Sequence, residues 1–413
     1  MELDLTKIKK VFFVGIGGIG ISAIARMMLL EKKEVFGSDI GESGITNELQ
    51  KLGAKMTLGQ GIDLIPKDMD LIVYSIAIPK YDLEFFKKLK NLNIKILSYP
   101  EMLGLITRDK YTIAVSGTHG KTTTTAMIAK ILIDAGRDPS VIVGSLLKDS
   151  KSNLVVGQSD LFVVEACEYE RSFLNLKPKI LVITNIEADH LDYYKDLADI
   201  QDAFKQLILQ SENVIEDYSK YLEKVPKLSV PGVHNRMNAA AALAAAEILN
   251  IPEVVAQKSL AEFSGTWRRL ELRGKTSQGT IVYDDYAHHP TEIKASLQAL
   301  REIYPTKEIT VFFQPHLYSR TKALFDDFAK SFEKADQILL LPIYFAREEK
   351  DESVSSEKLA KAITETGKNA QAFLNFENAE NFVKALNLGS KDVFVTMGAG
   401  EAYKVADKAF NLT

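Results

Sequence analysis

Residues Gly117–Thr122, with the sequence GTHGKT, combine two glycines, a lysine and a hydroxyl in the manner of a phosphate-binding loop. A strand-like run that begins at Tyr111 precedes them and a helical run follows, so the loop is expected at a helix N-terminus, where backbone N–H groups attract anions. Lys121 would reach the outer phosphates of a nucleotide, and the Thr122 hydroxyl would face Mg²⁺. The general P-loop pattern has a further glycine where this chain has Val115, which indicates a narrower class of loop. The alternative is a glycine turn that binds nothing, but the Lys-Thr pair then has no explanation.

A second glycine turn lies near the N-terminus, where Gly15–Gly20 read GIGGIG and complete the pattern G-x-G-x-x-G. Asp39 ends the next strand-like run, about twenty residues further on, where an acid could accept a ribose hydroxyl. The glycines allow a diphosphate to approach the helix N-terminus. A nicotinamide, a flavin and a nucleotide-sugar all satisfy this pattern, and a purely structural turn is the remaining alternative. The pattern therefore predicts a diphosphate without naming its carrier.

Two hydrophobic strands of the middle region end in groups that could bind a cation. One run ends at Glu165, and the run 180–184 is followed by Asn185, Glu187, Asp189 and His190. Ligands of open α/β sheets gather at the C-terminal ends of the strands, where the glycine loop is also expected. Mg²⁺ prefers oxygen ligands and substrate phosphates, so Glu165 is a good ligand candidate. His190 is either a ligand or a hydrogen-bonded structural side chain.

Two further pairs of polar residues allow two interpretations each. Asn235 and Asn238 lie three residues apart at the start of an alanine-rich helix, so they share one face. Their amides could contact a purine edge or cap the helix. Arg268 and Arg269 could reach a transferring phosphoryl group, or they could remain solvated at the surface.

Polar residues also follow the strand-like runs of the last third of the chain. One run ends at Asp285 and continues through His288 into a helix expected to start at Pro290 or the next residue. The following run continues to Arg320, and the last ends in the glycine turn 398–400. The chain has six histidines, and all of them fall in the segments singled out here: His119, His190, His234, His288, His289 and His316.

Strand-like and helix-like runs alternate along the chain, which predicts an α/β fold with parallel sheets covered by helices. The 413 residues suffice for about three domains. We expect a Rossmann-like domain at residues 1–107, a central P-loop domain at 108–262 and a second Rossmann-like domain at 263–413.

Composition excludes several classes of function. The net charge of −4 argues against nucleic acid as the main partner. No apolar window reaches the ~18–20 residues of a membrane span, and the N-terminal run fits strand-turn-helix better than a signal peptide. The single cysteine excludes an internal disulfide and fits a reducing compartment. We therefore expect a cytoplasmic protein without membrane insertion, either a monomer or a weak homodimer.

Seven segments together resemble the Mur ligases, ATP-dependent enzymes that build the peptide stem of the bacterial cell-wall precursor. In chain order they are GIGGIG at 15–20 with SD at 38–39, GTHGKTTTTAM at 117–127, TNIEADHLD at 184–192, PGVHNRMNAAAA at 231–242, RRLE at 268–271, DDYAHHPTE at 284–292 and FQPHLYSRT at 313–321. The resemblance covers nearly the whole chain, and it is closest to the members that join L-alanine to UDP-N-acetylmuramate.

The resemblance implies three α/β domains, ATP and Mg²⁺ as cofactors, and UDP-N-acetylmuramate and L-alanine as substrates joined through an acyl phosphate. It implies that ATP is held by Gly117, Thr118, His119, Gly120, Lys121, Thr122 and Thr123, with adenine at Asn235 and Asn238 and ribose at Asp285. It implies one Mg²⁺ on Thr122 and Glu165, a second on His190, and the UDP portion on Gly17, Gly18, Asp39 and Ser75. The implied catalytic residues are Lys121 and Arg269 on the phosphates, His288 beside the acyl phosphate and Arg320 on anionic substrate groups.

Three features depart from the family pattern. Cys167 stands where the family usually has an aspartate, and Leu317 stands where an arginine is common. Only about forty residues separate His190 from Pro231, so the central domain is expected to lack several strands and hairpins.

Three other functions remain open at this point. A related ligase joins an intact tripeptide to the same UDP-sugar, and the motifs RRLEL and DDYAHHP fit either enzyme. A non-catalytic paralogue that binds nucleotides would explain the shortened domain. An NAD-dependent dehydrogenase would explain GIGGIG, but it leaves the loop at Lys121 unexplained.

Overall fold

A computed structural model describes residues 3–148, 151–345 and 348–411. Each of three successive regions of the chain forms one sheet flanked by helices. Within the described residues, no helix is both long enough and apolar enough to cross a lipid bilayer.

The N-terminal region forms a five-stranded sheet that is parallel throughout. Its elements are β1 (Lys10–Val14), α1 (Ile19–Leu30), β2 (Glu34–Asp39), α2 (Gly44–Lys51), β3 (Lys55–Leu58), β4 (Leu71–Tyr74), α3 (Ile78–Tyr81), α4 (Leu83–Lys90), β5 (Lys95–Ser98) and α5 (Tyr99–Thr107). The strand order is β3-β2-β1-β4-β5. β1 is central because its residues 11–14 are apolar and buried on both faces, as helix-covered parallel strands require.

The central region carries the second glycine loop on a six-stranded sheet. Its elements are β6 (Tyr111–Ser116), α6 (Lys121–Asp134), β7 (Ser140–Leu147), β8 (Ser152–Val155), β9 (Leu161–Glu165), β10 (Ile180–Ile183), α7 (Leu197–Leu209), β11 (Asn213–Ile215), α8 (Val233–Ile248) and α9 (Glu253–Ala261). The order is β11-β10-β6-β9-β7-β8, with only β8 antiparallel to its neighbour. Residues 191–230 are all described and contain α7, β11 and one short 3₁₀ helix, without the hairpins whose absence was expected.

The C-terminal region forms the third sheet. Its elements are β12 (Glu271–Lys275), β13 (Ile281–Asp285), α10 (Pro290–Ile303), β14 (Glu308–Phe313), α11 (Tyr318–Ala323), α12 (Phe325–Ala329), β15 (Gln337–Leu340), α13 (Ser356–Glu365), β16 (Asn369–Ala372), α14 (Phe376–Ala385), β17 (Asp392–Met397) and α15 (Ala402–Phe410). The order is β12-β13-β17-β14-β15-β16, and β12 is antiparallel to β13. The predicted α/β fold with three mostly parallel sheets is confirmed.

The regions pack on one another in two different ways. Buried apolar side chains form one continuous cluster across the N-terminal and central sheets. Within that contact, the buried Arg26 guanidinium donates to Asn153 Oδ1 and, at 2.7 Å, to Glu48. The central and C-terminal regions instead meet through polar groups around the glycine loop. A main-chain contact adds to these, because Trp267 N donates to Leu146 O of β7 at 3.0 Å.

The predicted domain limits fall in connecting segments of the fold. α5 ends at Thr107 and β6 begins at Tyr111, whereas α9 ends at Ala261 and β12 begins at Glu271. Divisions at 107/108 and 262/263 are compatible with these ends, and they stay predictions.

Candidate active site

The loop between β6 and α6 has the shape of a cradle. Its two glycines adopt backbone conformations that residues with a side chain rarely adopt. Gly117 has φ +131° and Gly120 has φ +83°, in the left-handed region. A Cβ on Gly117 would lie 2.1 Å from Thr184 Oγ1, and one on Gly120 would lie 2.4 Å from Asn238 Oδ1. Gly120 is the N-cap of α6, so the first N–H groups of a 14-residue helix are available to an anion.

Residues that follow β10 hold the cradle in shape. The backbone N–H of Thr118 donates to Asn185 O at 2.9 Å, and that of His119 donates to Asn185 Oδ1 at 2.9 Å. The Thr184 hydroxyl donates to His119 O at 2.5 Å. The loop that follows β6 is therefore held by the residues that follow β10, as expected for the ends of two adjacent parallel strands.

Lys121 lies inside the cradle. Its ammonium donates to Gly117 O at 2.6 Å, to Thr118 O at 3.1 Å and to Glu168 Oε1 at 3.0 Å. Burial lowers the pKa of Lys121, but the nearby negative charge of Glu168 outweighs it and raises the pKa above its usual value. The cradle therefore contains a positive charge at physiological pH.

The groups predicted to bind a cation lie beside the cradle. The Thr122 hydroxyl contacts both carboxylate oxygens of Glu165, at 3.1 and 2.9 Å, and Gly144 N donates to Glu165 Oε2 at 2.8 Å. His190 has φ +53°, and its Nε2 lies 3.6 Å from Glu168 Oε1, beyond hydrogen-bond distance. A hydroxyl, two carboxylates and an imidazole make an oxygen-rich set of the kind that Mg²⁺ takes together with phosphates, so these residues fit the implied ion.

A cavity of about 250 Å³ opens from the cradle between α8 and the C-terminal sheet. The predicted site residues that line it are His119, Gly120, Thr122, Thr123, Asn235, Asn238, Arg269 and Asp285. Asn235 donates to Pro231 O at 2.6 Å and Asn238 donates to Asn235 Oδ1 at 3.4 Å. Both asparagines lie inside α8, whose N-cap is Gly232, so the capping interpretation is wrong. Their amides form one wall of the cavity.

The two consecutive arginines have different surroundings. Arg269 lines the cavity and donates to Thr122 Oγ1 at 3.2 Å. Arg268 is buried and donates to Asp284 at 2.7 Å, Gly400 O at 2.9 Å and Gly398 O at 2.7 Å. The interpretation of both as solvated surface residues is therefore wrong, and only Arg269 faces the site.

A cluster of charged groups joins the glycine loop to the start of α10. His119 lies 3.5 Å from Glu187 through Nε2 and 3.3 Å from Glu292 through Nδ1, and Thr291 donates to Glu187 at 2.9 Å. Burial lowers the pKa of His119, but the two carboxylates outweigh it and raise the pKa to about 9. The neighbouring His119 imidazole lowers the pKa of Glu187 to about 2. His119 is therefore protonated at neutral pH and links the two regions electrostatically.

The C-terminal region carries two further predicted catalytic residues, His288 and Arg320. Burial lowers the pKa of His288 to about 4, so its imidazole is neutral at physiological pH, and its Nδ1 lies 2.9 Å from Tyr286 O. Arg320 is buried and donates to Asp189 Oδ1 at 3.2 and 3.1 Å. In this structure the Arg320 charge is thus paired with the central region.

Asp285 is buried at the base of the cavity. It accepts hydrogen bonds from Ser296 at 2.5 Å and from Ala287 N at 3.0 Å, and burial raises its pKa to about 6. The position agrees with a contact to a ligand in the cavity.

The N-terminal glycine turn forms a separate site in the first sheet. Gly17 N donates to Asp39 Oδ2 at 2.8 Å, and a Cβ on Gly17 would lie 2.9 Å from the same oxygen. Gly18 is the N-cap of α1 without a side-chain cap, and Ser75 packs against Gly15 at the end of β4. The structure therefore brings all four predicted residues of this turn together.

Three domains of one protein family match this chain, and two of the matches begin at the strands that lead into the glycine turns. Residues 10–111 match the Mur ligase family catalytic domain, residues 115–225 the Mur ligase middle domain and residues 268–400 the Mur ligase glutamate ligase domain. The chain belongs to the Mur ligase family.

The relatives of this Mur ligase are similar along their whole length. It is 40% identical over 447 residues to the UDP-N-acetylmuramate–L-alanine ligase of Clostridium novyi, which covers 97% of this chain and 96% of the relative. It is 39% identical over 460 residues to the enzyme of the same name from Clostridium kluyveri, with both chains covered completely. The alignment spans 460 positions and this Mur ligase has 413 residues, so 47 positions of the alignment fall opposite gaps in this chain.

Solved structures agree with the fold. The UDP-N-acetylmuramate-alanine ligase of Thermotoga maritima superimposes with a TM-score of 0.81 at 28% identity, covering 97% of this Mur ligase and 98% of the other chain. A murein peptide ligase from Psychrobacter arcticus gives a TM-score of 0.70 at 22% identity, with 98% of each chain covered, which supports the fold alone.

The structure shows the environments of Cys167 and Leu317, two of the departures from the family pattern. Cys167 is exposed at the surface, and desolvation by the neighbouring protein together with the charge of Glu168 raises the pKa of its thiol. The thiol therefore stays uncharged and does not replace a carboxylate. Leu317 has φ +69° and lines a small cleft with Arg320.

Two polar residues of the site were not predicted from the sequence: Glu168 contacts Lys121, and Glu292 contacts His119. Glu187 was considered as a group that could bind a cation, and in the structure it lies beside His119. Glu292 lies at the end of the motif at 284–292 and Glu168 lies three residues after Glu165, but a glutamate in either place does not differ by type from a surface glutamate. Only the contacts identify it.

Proposed function

We propose that this Mur ligase joins the amine of L-alanine to the muramate carboxylate of UDP-N-acetylmuramate. A carboxylate oxygen bonds to the γ-phosphorus of ATP as the bond to ADP breaks, which gives an acyl phosphate. The amine nitrogen then bonds to the acyl carbon, phosphate leaves with the bonding electrons, and the displaced proton passes to water. Phosphorylation converts a poor acyl donor into one with a good leaving group.

The convergence of the lysine cradle and Arg269 on one cavity carries this proposal. Thr122, at the first turn of α6, contacts Arg269 from the C-terminal region, and both line the cavity, while the preceding Lys121 places its charge in the cradle. Two regions thus bring positive charge to the same site. Such positioning of positive charge is the main requirement of phosphoryl transfer. The similarity to L-alanine ligases over the full chain supports the choice of substrates.

The nucleotide is assigned to the cavity in the following way. Lys121 and the α6 N-terminus hold the β- and γ-phosphates, together with the loop residues 117–123. Asn235 and Asn238 contact adenine, and Asp285 contacts the ribose. Thr122 and Glu165 would ligate one Mg²⁺ and His190 a second, and the bound ions would neutralise charge on the phosphates.

Charge at the acyl phosphate is assigned to Arg269 and Lys121. His288 is neutral, so it cannot supply positive charge there. With Nδ1 donating to Tyr286 O, its Nε2 can accept a hydrogen bond, which suits an N–H of the incoming amine. Arg320 reaches an anionic substrate group only when that group competes with Asp189.

The N-terminal turn is assigned to the UDP portion. Gly17 and Gly18 leave the start of α1 open to the pyrophosphate, Asp39 is placed for a ribose hydroxyl, and Ser75 lines the turn. A cytoplasmic location and a monomeric or weakly dimeric state stay predictions.

ADP release with UDP-N-acetylmuramate, scanned over free amino acids and the intact tripeptide, tests the proposal. We expect release with L-alanine and little with the tripeptide. Release with the tripeptide alone would identify the recycling ligase instead. A protein that binds ATP but releases no ADP with any acceptor would be a nucleotide-binding paralogue, and a nicotinamide titration without a signal excludes the dehydrogenase.

A further inference from the structure

Glu168 is a buried carboxylate of the oxygen-rich set beside the cradle, and the assignment of ATP and Mg²⁺ above gives it no role. Only 2% of its surface is exposed. Its two oxygens lie 3.0 and 2.9 Å from Lys121 Nζ, yet Oε2 makes no hydrogen bond of good geometry. Its Oε1 is also 3.6 Å from His190 Nε2. Glu168 thus lies between the residue assigned to the phosphates and the residue assigned to the second cation.

The backbone around Glu168 keeps this position. Tyr194 donates its hydroxyl hydrogen to Glu168 O at 2.5 Å, and Arg171 N donates to the same oxygen at 2.9 Å. Two and three residues further on, Glu170 and Arg171 have left-handed φ angles of 53° and 54°. The backbone of Glu168 is therefore fixed beside the cradle, and its buried carboxylate stays within reach of Lys121 and His190.

A nucleotide that enters the cradle without a cation meets two unfavourable effects. It must draw Lys121 from Glu168, which leaves a buried carboxylate without its counter-charge. Its terminal phosphate then lies close to that carboxylate in a poorly solvated place, where like charges repel strongly. A divalent cation near Glu168 and His190 removes both effects, since the carboxylate gains a new positive partner.

We propose that Glu168 makes nucleotide binding by the cradle dependent on a divalent cation. In the free protein Glu168 holds Lys121, and in the complex the same carboxylate ligates the cation beside His190. The inference rests on the proposed assignment of ATP to the cradle. It adds to that assignment the residue that lowers the affinity of the cradle for nucleotide without a bound cation.

Calorimetric titration of the β,γ-imido analogue of ATP, in Mg²⁺ and in EDTA, tests this role. We expect the wild-type protein to bind the analogue at least about tenfold more tightly with Mg²⁺. Glu168→Gln, which keeps the shape and removes the charge, should bind it about tenfold more tightly than wild type in EDTA and lose most of the Mg²⁺ effect. Glu170→Gln is the matched control, because Glu170 is paired with Lys80 at 2.8 Å outside the cradle, and it should behave as wild type.

A Glu168→Gln protein with an unchanged Mg²⁺ effect, or with weaker binding in EDTA, would overturn the inference. If that variant does not fold by circular dichroism, the wild type decides: a Mg²⁺ effect below about tenfold overturns the role and a larger one supports it. A wild type that shows the Mg²⁺ effect but releases no ADP with its substrates would overturn the proposed function and leave the role of Glu168 intact.

Discussion

Arg269 Nη2 lies 3.2 Å from Thr122 Oγ1, so a side chain of the C-terminal region contacts the first turn of the P-loop helix. Its neighbour Arg268 has φ +56° and turns into the C-terminal sheet, where Asp284 and two glycine carbonyls hold it. Two adjacent residues of one type therefore have separable roles, one toward the ligand and one toward the fold.

Arg269→Ala is expected to lower kcat about 10²- to 10³-fold, because it removes a positive charge aimed at the transferring phosphoryl group. The free energy of unfolding should change by less than about 1 kcal/mol, since the side chain is partly solvated. Steady-state ADP release and thermal unfolding of the same preparation measure both quantities. A variant with near wild-type kcat would remove Arg269 from the site.

Arg268→Ala is expected to destabilise the protein by about 3–5 kcal/mol, because Asp284 would remain buried without its partner. The measurement is the unfolding midpoint in urea, compared with Arg269→Ala at the same pH. Equal midpoints for the two variants would contradict the separation of roles.

Lys121→Ala is expected to abolish ADP formation while UDP-N-acetylmuramate still binds. The lysine is the charge inside the cradle, whereas the UDP portion is assigned to a different sheet. Calorimetry with UDP-N-acetylmuramate and an ADP-release assay give the two readouts. Turnover close to that of the wild type would mean that ATP binds elsewhere.

Asp39→Ala is expected to raise the KM for UDP-N-acetylmuramate about tenfold, with a smaller effect on the KM for ATP. The variant loses the acceptor for Gly17 N, and with it the carboxylate to which the ribose hydroxyl is assigned. Initial rates with each substrate varied in turn measure both constants. The reverse pattern would mean that the two nucleotide sites have been exchanged.

His119→Gln is expected to change the pH dependence of stability in the absence of nucleotide. The pKa of His119 is about 9 in the folded protein against 6.5 in a model compound. The folded state therefore binds the proton more tightly, and this contributes up to about 3 kcal/mol that is fully present below pH 6.5. The contribution is lost as the pH rises through 9.

Thermal unfolding of wild type and His119→Gln between pH 6 and pH 9.5 measures this effect. The difference between the two proteins should shrink as the pH rises, because the wild type loses the protonated link to Glu187 and Glu292. Parallel profiles over the whole range would show that His119 does not carry the link.

Local sequence was sufficient for the strands and helices that carry the motifs. The glycine loop begins α6 at Lys121 and the helix expected at Pro290 begins there, because glycine and proline act on their own backbone. The strands β3, β11, β12 and β16 at the sheet edges are different. They carry few buried side chains, so their residue pattern does not separate them from loops.

The sequence by itself determined the family, the α/β class, the two glycine turns and the strand ends from which the site is built. These depend on residue type and spacing along a short stretch of chain. Only the tertiary structure decided which of two adjacent arginines faces the cavity, that Arg320 is paired with Asp189, and that Glu168 holds Lys121. The direction of a side chain and the charge beside it depend on residues far away in the chain, and only folding brings those residues together.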